Sequence, residues 1–328
     1  MCPWALCLEA SPSAEGAWLM TSNYLNSVKL PERPAFLRYS PISYEVLVTT
    51  YQLSNENDRI GSFYILDSEF NIRKRIPSSG GIFRFNFFPC LLKAYAALTT
   101  GKIGILDLSS YQLLESRKVS EGMLLNLEYK NSHLLASNEN GKLILVDAET
   151  FQEISTWDAH NLPGTSTSTK CEVWSCTWLD DNICASGADD TLLKIWDLRA
   201  ERKPTSVNKS HGGGVVFLEK RNEYDLISGS YDEHIRLFDY RNSKEPVIVT
   251  QTCGGAWSVI EAGEYNIVAC MYGGWQVLDK GFNVIHTQDE HGSNLLYGAD
   301  AKIQNSENLI VSTCTFNDFM VYQHQLIL

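Results

Sequence analysis

The chain has 328 residues, of which 44% are hydrophobic and 20% charged, an ordinary composition for a globular protein. Its formal net charge is −12, and no Lys/Arg-rich run offers the positive surface that phosphate-backbone binding requires, so we expect no nucleic-acid partner. No apolar stretch approaches the roughly 18 residues of a membrane helix, and nine scattered cysteines without a CxxC pair are typical of reduced thiols in a cytosolic protein.

The first twenty residues differ in character from the remainder of the chain. They are mildly apolar, carry Glu9 and Glu15, and lack the basic segment of a signal peptide. We therefore expect residues 1–20 to form a poorly ordered N-terminal extension, and residues 21–328 to form a single domain.

A short β-branched or aromatic run that ends in aspartate recurs along that domain. Six such runs end at Asp67, Asp107, Asp147, Asp197, Asp239 and Asp279, and a seventh ends at Gln323. Their successive spacings are 40, 40, 50, 42, 40 and 44 residues. WD repeats have a period of about 40–45 residues with four strands in each blade. The long interval contains the polar stretch HNLPGTSTSTK at residues 160–170, which is typical of a loop insertion.

The strand-like segments inside each repeat follow one another in the same order. Short alternating runs are bounded by Gly, Asp and Asn, and no connection is long enough for a crossover helix. The sequence thus predicts an all-β fold, a seven-bladed WD-repeat β-propeller with four antiparallel strands per blade. Because the last blade reaches the C-terminus after its third strand, we expect residues 24–30 to supply its outer strand and close the ring.

Two histidines and two aspartates in blades four and five match the structural positions of WD repeats. In such repeats a His and a turn Asp are linked through Ser and Trp in a buried hydrogen-bond network. Blade four has the full set, with the four residues His160, Ser186, Asp190 and Trp196. In blade five Phe238 replaces the Trp, so we expect the network of His211 and Asp232 to be incomplete. For His160, His211, Asp190 and Asp232 we favour this structural interpretation over a catalytic one.

Several local sequences are more specific than a generic WD repeat. They are WDAHN…EVW (157–174), SGADDTLLKIWDLR (186–199), SGSYDEHIRLFDYRN (228–242), GGAW (254–257), ACMYGGWQVL (269–278) and LLYGAD (295–300). In this order they resemble the diphthine methyl ester hydrolase family, the WD-repeat proteins of diphthamide biosynthesis that older naming calls diphthine methyltransferases. The segment FDYRN departs from the family, which tends to have a WD pair at that point.

The resemblance implies hydrolysis of the methyl ester on methylated diphthine, a modified histidine of translation elongation factor 2. The product carboxylate would then be amidated to give diphthamide. The resemblance also implies a cytoplasmic enzyme without a cofactor, whose partner is elongation factor 2. No membrane association is expected, and a closed propeller is expected to be a monomer.

The sequence restricts how such an ester could be hydrolysed. It contains no GxSxG elbow and no HExxH or other metal-ligand spacing, which excludes the α/β-hydrolase mechanism and predicts no metal site. HGGG at residues 211–214 could be an oxyanion loop, but without a nucleophile elbow we favour an inter-blade turn. What remains is a water molecule activated by a side chain on the rim of entry loops and of turns between second and third strands.

Alignment of the blades on their terminal aspartates places several polar residues on this rim. Glu233 and His234 lie in the turn of blade five, and Glu172 lies in the entry loop of blade four. A positioned His or Glu general base contributes about 10²–10⁴-fold to a rate. We expect His234 or Glu233 to be the base and Glu172 to orient it.

The quaternary ammonium of diphthine suggests an aromatic wall next to carboxylates. The candidate substrate-binding residues on or near the rim are Tyr231, Asp189, Tyr272, Trp174, Trp257 and Tyr297. For Trp174 and Trp257, which begin first strands, packing between blades is the favoured alternative. A non-catalytic WD scaffold that binds a protein through this face remains the alternative function, because it would need a similar rim. A binder of modified lysines on histones has no specific sequence support.

Overall fold

The computed structural model describes residues 20–54, 58–90, 92–162, 170–306 and 308–328. Seven four-stranded antiparallel sheets follow one another along these residues, as the repeat spacing predicts. The predicted N-terminal extension lies outside the described residues apart from Met20, and so does most of the predicted insertion, at residues 163–169. Among the described residues, no helix has the length and apolarity needed to cross a bilayer.

Each blade is a meander whose four strands follow one another from the propeller axis outward. Blade one contains Pro34–Tyr39, Val46–Thr50, Ser62–Leu66 and Ile72–Pro77. Blade two contains Ile82–Phe87, Lys93–Leu98, Ile103–Asp107 and Gln112–Glu115. Blade three contains Leu124–Lys130, His133–Asn138, Lys142–Asp147 and Glu153–Asp158.

The next three blades repeat this arrangement. Blade four contains Ser175–Trp178, Ile183–Gly187, Leu193–Asp197 and Pro204–Asn208. Blade five contains Val215–Lys220, Asp225–Ser230, His234–Asp239 and Ile248–Gln251, with a short 3₁₀ turn at Tyr240–Asn242. Blade six contains Ser258–Ala262, Tyr265–Ala269, Trp275–Asp279 and Val284–Gln288.

Blade seven joins the two ends of the described chain. Its strands are Leu296–Asn305, Asn308–Thr315, Met320–Ile327 and Thr21–Lys29. The N-terminal strand pairs antiparallel with the C-terminal one, from Thr21 opposite Ile327 to Lys29 opposite Met320. This confirms the predicted ring closure, which leaves no open edge between the last blade and the first.

The recurring aspartate has a local structural cause. In blade three, Asp147 Oδ1 accepts the backbone N–H groups of Glu149 at 3.1 Å and Thr150 at 2.7 Å. In blade two, Asp107 holds the equivalent turn in the same way. An Asp at this position fixes the turn between third and fourth strands by capping its amides. These hydrogen bonds lower the pKa of both carboxyl groups.

The full four-residue network is present in blade four. His160 Nδ1 lies 2.8 Å from Asp190 Oδ1, and His160 Nε2 lies 2.7 Å from Ser186 Oγ. The Trp196 indole donates to the same hydroxyl at 2.8 Å. Burial lowers the pKa of His160, so the neutral ring donates to Asp190 and accepts from Ser186. This network connects the loop before blade four to that blade's second and third strands, and confirms the structural interpretation.

In blade five the network is incomplete, as predicted. His211 Nε2 reaches Ser228 Oγ at 2.8 Å, but its Nδ1 has no partner among the described residues. The ring of Phe238, which replaces the Trp, lies 6.0 Å from the His211 ring. Asp232 instead accepts from the Gly212 amide at 2.7 Å and pairs with Arg236 at 2.8 Å.

Candidate functional site

An aromatic cluster crosses the propeller axis at the end where the first strands begin. The Trp257 ring lies 5.7 Å from Trp174, 6.2 Å from Tyr231 and 4.7 Å from Tyr297. Phe83 of blade two contacts Trp174 at 5.7 Å and Trp257 at 5.9 Å. Because these residues come from blades two, four, five, six and seven, the cluster spans the mouth of the central channel. We call this end of the molecule the entry face.

Two carboxyl groups meet at the edge of the cluster. The side chains of Glu172 and Asp189 interact with each other, and the Asp189 amide donates to the Glu172 carbonyl at 3.1 Å. Asp189 Oδ1 also accepts the indole N–H of Trp174 at 2.5 Å. Burial is the largest cause of a raised pKa for Glu172, and the hydrogen bond and charge of Asp189 add to it. A carboxyl group whose pKa is raised beside a second carboxyl group is suited to proton transfer.

The three glycines after His211 allow the backbone to approach this pair closely. A Cβ on Gly214 would lie 2.7 Å from Asp189 Oδ1 and 2.9 Å from the Tyr231 ring. A Cβ on Gly213 would lie 2.9 Å from the amide of Asp232. Any larger residue would push the carboxylate or the tyrosine aside. The inter-blade turn is therefore packed against the site rather than merely connecting two blades.

A buried arginine forms the floor beneath the aromatic rings. Arg84 Nη2 donates to the carbonyls of Val216 at 2.9 Å and Trp257 at 3.3 Å, and Nη1 donates to that of Trp174 at 3.4 Å. Its guanidinium carbon lies 5.0 Å from the Trp257 ring centre. Burial lowers its pKa to about 10, so the group stays charged at neutral pH. Trp257 is therefore covered by Arg84 on one face and is only 1% exposed, as a packing role requires.

The other predicted aromatic residues keep some access to solvent. Tyr231, Trp174 and Tyr297 are half-buried, and Tyr272 is 59% exposed on the turn of blade six. Burial, and then the neighbouring Tyr272, raise the pKa of Tyr297 to about 12, so its hydroxyl is neutral at physiological pH. The entry face thus presents neutral ring surfaces beside a carboxyl pair.

Glu233 and His234 lie at the turn between the second and third strands of blade five. His234 begins the third strand of blade five, and its Nδ1 lies 2.7 Å from the Asp232 carbonyl of its own turn. Glu233 is exposed with a backbone φ of 64°, a left-handed turn conformation. Within the described chain neither side chain forms a hydrogen bond or ion pair with Glu172. The structure joins Glu172 with Asp189 and leaves Glu233 and His234 as separate candidates.

Sequence reasoning did not single out Arg84. It lies in IFRFNF, the first strand of blade two, where an arginine interrupts an otherwise buried apolar run. That interruption was the available signal. The carbonyl groups that accept hydrogen bonds from Arg84 come from three other blades, so they could not be identified from this strand.

A cavity of about 300 Å³ is lined by Arg84 and by the far ends of several first strands, away from the entry face. Its polar lining includes Glu128 and Glu219 at the far ends of the first strands of blades three and five. Burial, and then the charge of Glu219, raise the pKa of Glu128 to about 7. The cavity is thus a rival location for carboxyl chemistry, and Glu128 serves as a natural comparison for Glu172. The described residues contain no group of three or more metal-ligating side chains at either place.

The chain is similar to two curated proteins named diphthine methyltransferase. That of Mus musculus is 28% identical over 241 residues, 68% of this chain and 48% of the mouse protein. That of Homo sapiens is 31% identical over 185 residues, 51% of this chain and 39% of the human protein. The chain therefore spans about half the length, or less, of these relatives. No family model matches it.

A third relative bears on the fold. The WD repeat-containing protein on Y chromosome of Drosophila willistoni is 26% identical over 230 residues, 64% of this chain and 20% of that protein. Its name agrees with the WD-repeat propeller that this chain forms. The mouse and human relatives confirm the family resemblance that the local sequences indicated.

Proposed function

From this similarity to proteins named diphthine methyltransferase, we propose that the chain hydrolyses the methyl ester of methylated diphthine on translation elongation factor 2. The reaction consumes water and releases methanol and the diphthine carboxylate. The observation that carries the proposal is the adjacent carboxyl groups of Glu172 and Asp189 beside half-buried aromatic rings. The same assignment makes the chain a carboxylic ester hydrolase of the cytoplasm that acts as a monomer without a cofactor.

The carboxyl pair supplies both proton transfers that the reaction needs. The ionised carboxylate accepts a proton from a water molecule while the water oxygen attacks the ester carbonyl carbon. The protonated carboxyl group donates a proton to the departing methoxide. The raised pKa of Glu172 favours Glu172 as the acid and Asp189 as the base. Trp174 holds the Asp189 carboxylate in place through its indole N–H. Glu233 and His234 remain the alternative base, with Glu172 then acting to orient it.

The aromatic cluster supplies a binding surface for the trimethylammonium group of diphthine. A quaternary ammonium over an aromatic face gains about 0.5–2 kcal/mol, depending on how far it is desolvated. Tyr231, Tyr297 and Trp174 are half-buried and offer such faces, whereas Trp257 is covered and supports them from below. The net charge of −12 favours a cationic substrate over an anionic one.

The experiment is incubation of the purified chain with elongation factor 2 that carries methylated diphthine. Intact-protein mass spectrometry would follow the loss of one CH₂ unit, and a coupled assay would follow methanol. Loss of that mass with stoichiometric methanol supports the esterase. An unchanged mass together with co-elution of the two proteins would contradict the esterase and favour the non-catalytic scaffold.

A further inference from the structure

Two cysteines lie together at the entry of blade six, next to the aromatic cluster. Cys253 is in the loop before the first strand and is exposed. Cys270 directly follows the second strand, Tyr265–Ala269, and is fully buried. Neither residue takes part in the proposed ester hydrolysis.

Several contacts hold the two thiols against each other. Cys253 Sγ donates to the Gly273 carbonyl oxygen at 3.0 Å, in the turn that follows Cys270. Gln276 Oε1 accepts the Cys253 amide at 3.1 Å and lies 3.7 Å from Cys270 Sγ. The backbone segments are in close contact, since a Cβ on Gly254 would overlap the Cys270 carbonyl oxygen. One glutamine and two loops in contact therefore hold the two cysteines next to each other.

We propose that Cys253 and Cys270 form an oxidative modification site, which a hydroperoxide converts to a disulfide. The Cys253 thiolate attacks a peroxide oxygen, giving a sulfenic acid and releasing hydroxide or alkoxide. The Cys270 sulfur then attacks the sulfenic sulfur, forming the S–S bond, and water leaves once the Cys270 proton is lost. Two thiols are oxidised by two electrons and one peroxide is reduced.

The electrostatics of the two sulfurs fit these separate roles. The hydrogen bond from Cys270 lowers the pKa of Cys253, which favours the thiolate that reacts with peroxide. Burial instead raises the pKa of Cys184 to about 12 and also raises that of Cys314, so these thiols stay protonated and inaccessible. Cys270 is fully buried and therefore shielded from peroxide in solution. Its interaction with Cys253, and then burial, raise its pKa, so it takes the resolving role and not the peroxide-reactive one.

Disulfide formation would alter the entry face. It would draw the two sulfurs to about 2.05 Å. Cys270 is followed by Met271 and Tyr272, and Met271 Sδ packs where a Cβ on Gly255 would lie, only 2.6 Å away. Trp257 follows Gly255 by two residues in the loop that contains Cys253, so a shift at Cys253 reaches the aromatic cluster.

The test is stoichiometric hydrogen peroxide on the full chain with Cys2 and Cys7 changed to Ser, followed by intact mass and peptide mapping without reduction. We expect loss of two hydrogens in mass, a linked peptide pair containing Cys253 and Cys270, reversal by dithiothreitol, and a change in tryptophan fluorescence. The matched control is Cys90→Ser, which removes another exposed cysteine and should leave the linkage intact.

Each single variant distinguishes the two roles. Cys270→Ser should leave a sulfenic acid on Cys253 that a dimedone probe captures, and Cys253→Ser should prevent oxidation of Cys270. A linkage between other cysteines, or a Cys253 sulfinic acid with no disulfide in the parent chain, would overturn the proposal. These readouts do not depend on ester hydrolysis, so failure of the proposed function would leave them unaffected.

Discussion

The indole N–H of Trp174 and the carboxylate of Asp189 are joined by a hydrogen bond of 2.5 Å at the mouth of the propeller channel. Trp174 precedes the first strand of blade four, and Asp189 follows the second strand of the same blade. This bond brings an aromatic face and a carboxyl pair into one site. A tryptophan that only filled space between blades would not need to orient an acidic group, and the pairing is therefore the structural basis of the proposed chemistry.

The stability of blade four should depend more on its serine than that of blade five. Ser186→Ala leaves both His160 Nε2 and the Trp196 indole without a partner in a buried place, whereas Ser228→Ala removes only the bond to His211. We expect unfolding free energies lower by about 2–4 kcal/mol for Ser186→Ala and about 1 kcal/mol for Ser228→Ala. Urea denaturation followed by fluorescence measures both. Equal losses would contradict a functioning four-residue network.

Replacing Arg84 should destabilise the propeller, although no ion pair on the surface is lost. Arg84→Met leaves the carbonyls of Trp174, Val216 and Trp257 without their donor. We expect a loss on the order of 3 kcal/mol in the unfolding free energy, and a smaller loss for Arg84→Lys, which keeps the charge but not the fork. Arg199→Met on the exposed surface is the control and should change little. An Arg84→Met protein as stable as the parent would refute the assigned role.

Acidification below neutral pH should destabilise the fold through two buried histidines. Burial lowers the pKa of His211 and of His291 from 6.5 to about 4. The unfolded chain therefore binds protons below pH 6.5 that the folded chain excludes until about pH 4, so stability falls as the pH falls through this window. The full effect is on the order of 3 kcal/mol for each histidine.

Denaturant midpoints at pH 7, 6 and 5 measure this dependence above the range where most carboxylates titrate. In His291→Gln the fall in stability should be shallower than in the parent, because one of the buried histidines whose pKa is lowered is gone. His133→Gln, whose ring is bonded to Asn131 in an exposed turn, is the control and should keep the parent slope. A His291→Gln protein whose stability falls with pH as steeply as that of the parent would contradict the burial of a neutral His291.

Most of the fold could be predicted because its signal is local. The recurring aspartate caps the turn between third and fourth strands. It therefore occurs in every blade whose third strand continues directly into its fourth strand through that turn. Blade seven has Gln323 instead, since its fourth strand comes from the other end of the described chain and no such turn exists. The exception to the repeat thus has the same physical cause as the ring closure.

The candidate site was less predictable because its contacts are not local. Glu172 and Asp189 could each be placed on the rim from the sequence, but their proximity depends on the path of an entry loop that periodicity does not determine. Arg84 satisfies carbonyls from blades four, five and six, which no pattern within blade two could reveal. The prominence of Glu233 and His234 in the sequence reflects their turn position, and the geometry of that turn directs His234 toward its own backbone.

The most direct measurement compares methyl ester hydrolysis by the parent chain with that by Glu172→Gln, Asp189→Asn and Glu128→Gln, using elongation factor 2 that carries methylated diphthine. Loss of either member of the carboxyl pair should lower kcat by about 10²-fold or more, because general acid–base catalysis is worth about 10²–10⁴-fold. Glu128→Gln removes a buried carboxyl group that lines the cavity away from the entry face and should retain parental kcat. Full activity in Glu172→Gln and Asp189→Asn, or loss confined to Glu128→Gln, would contradict the assignment of the site.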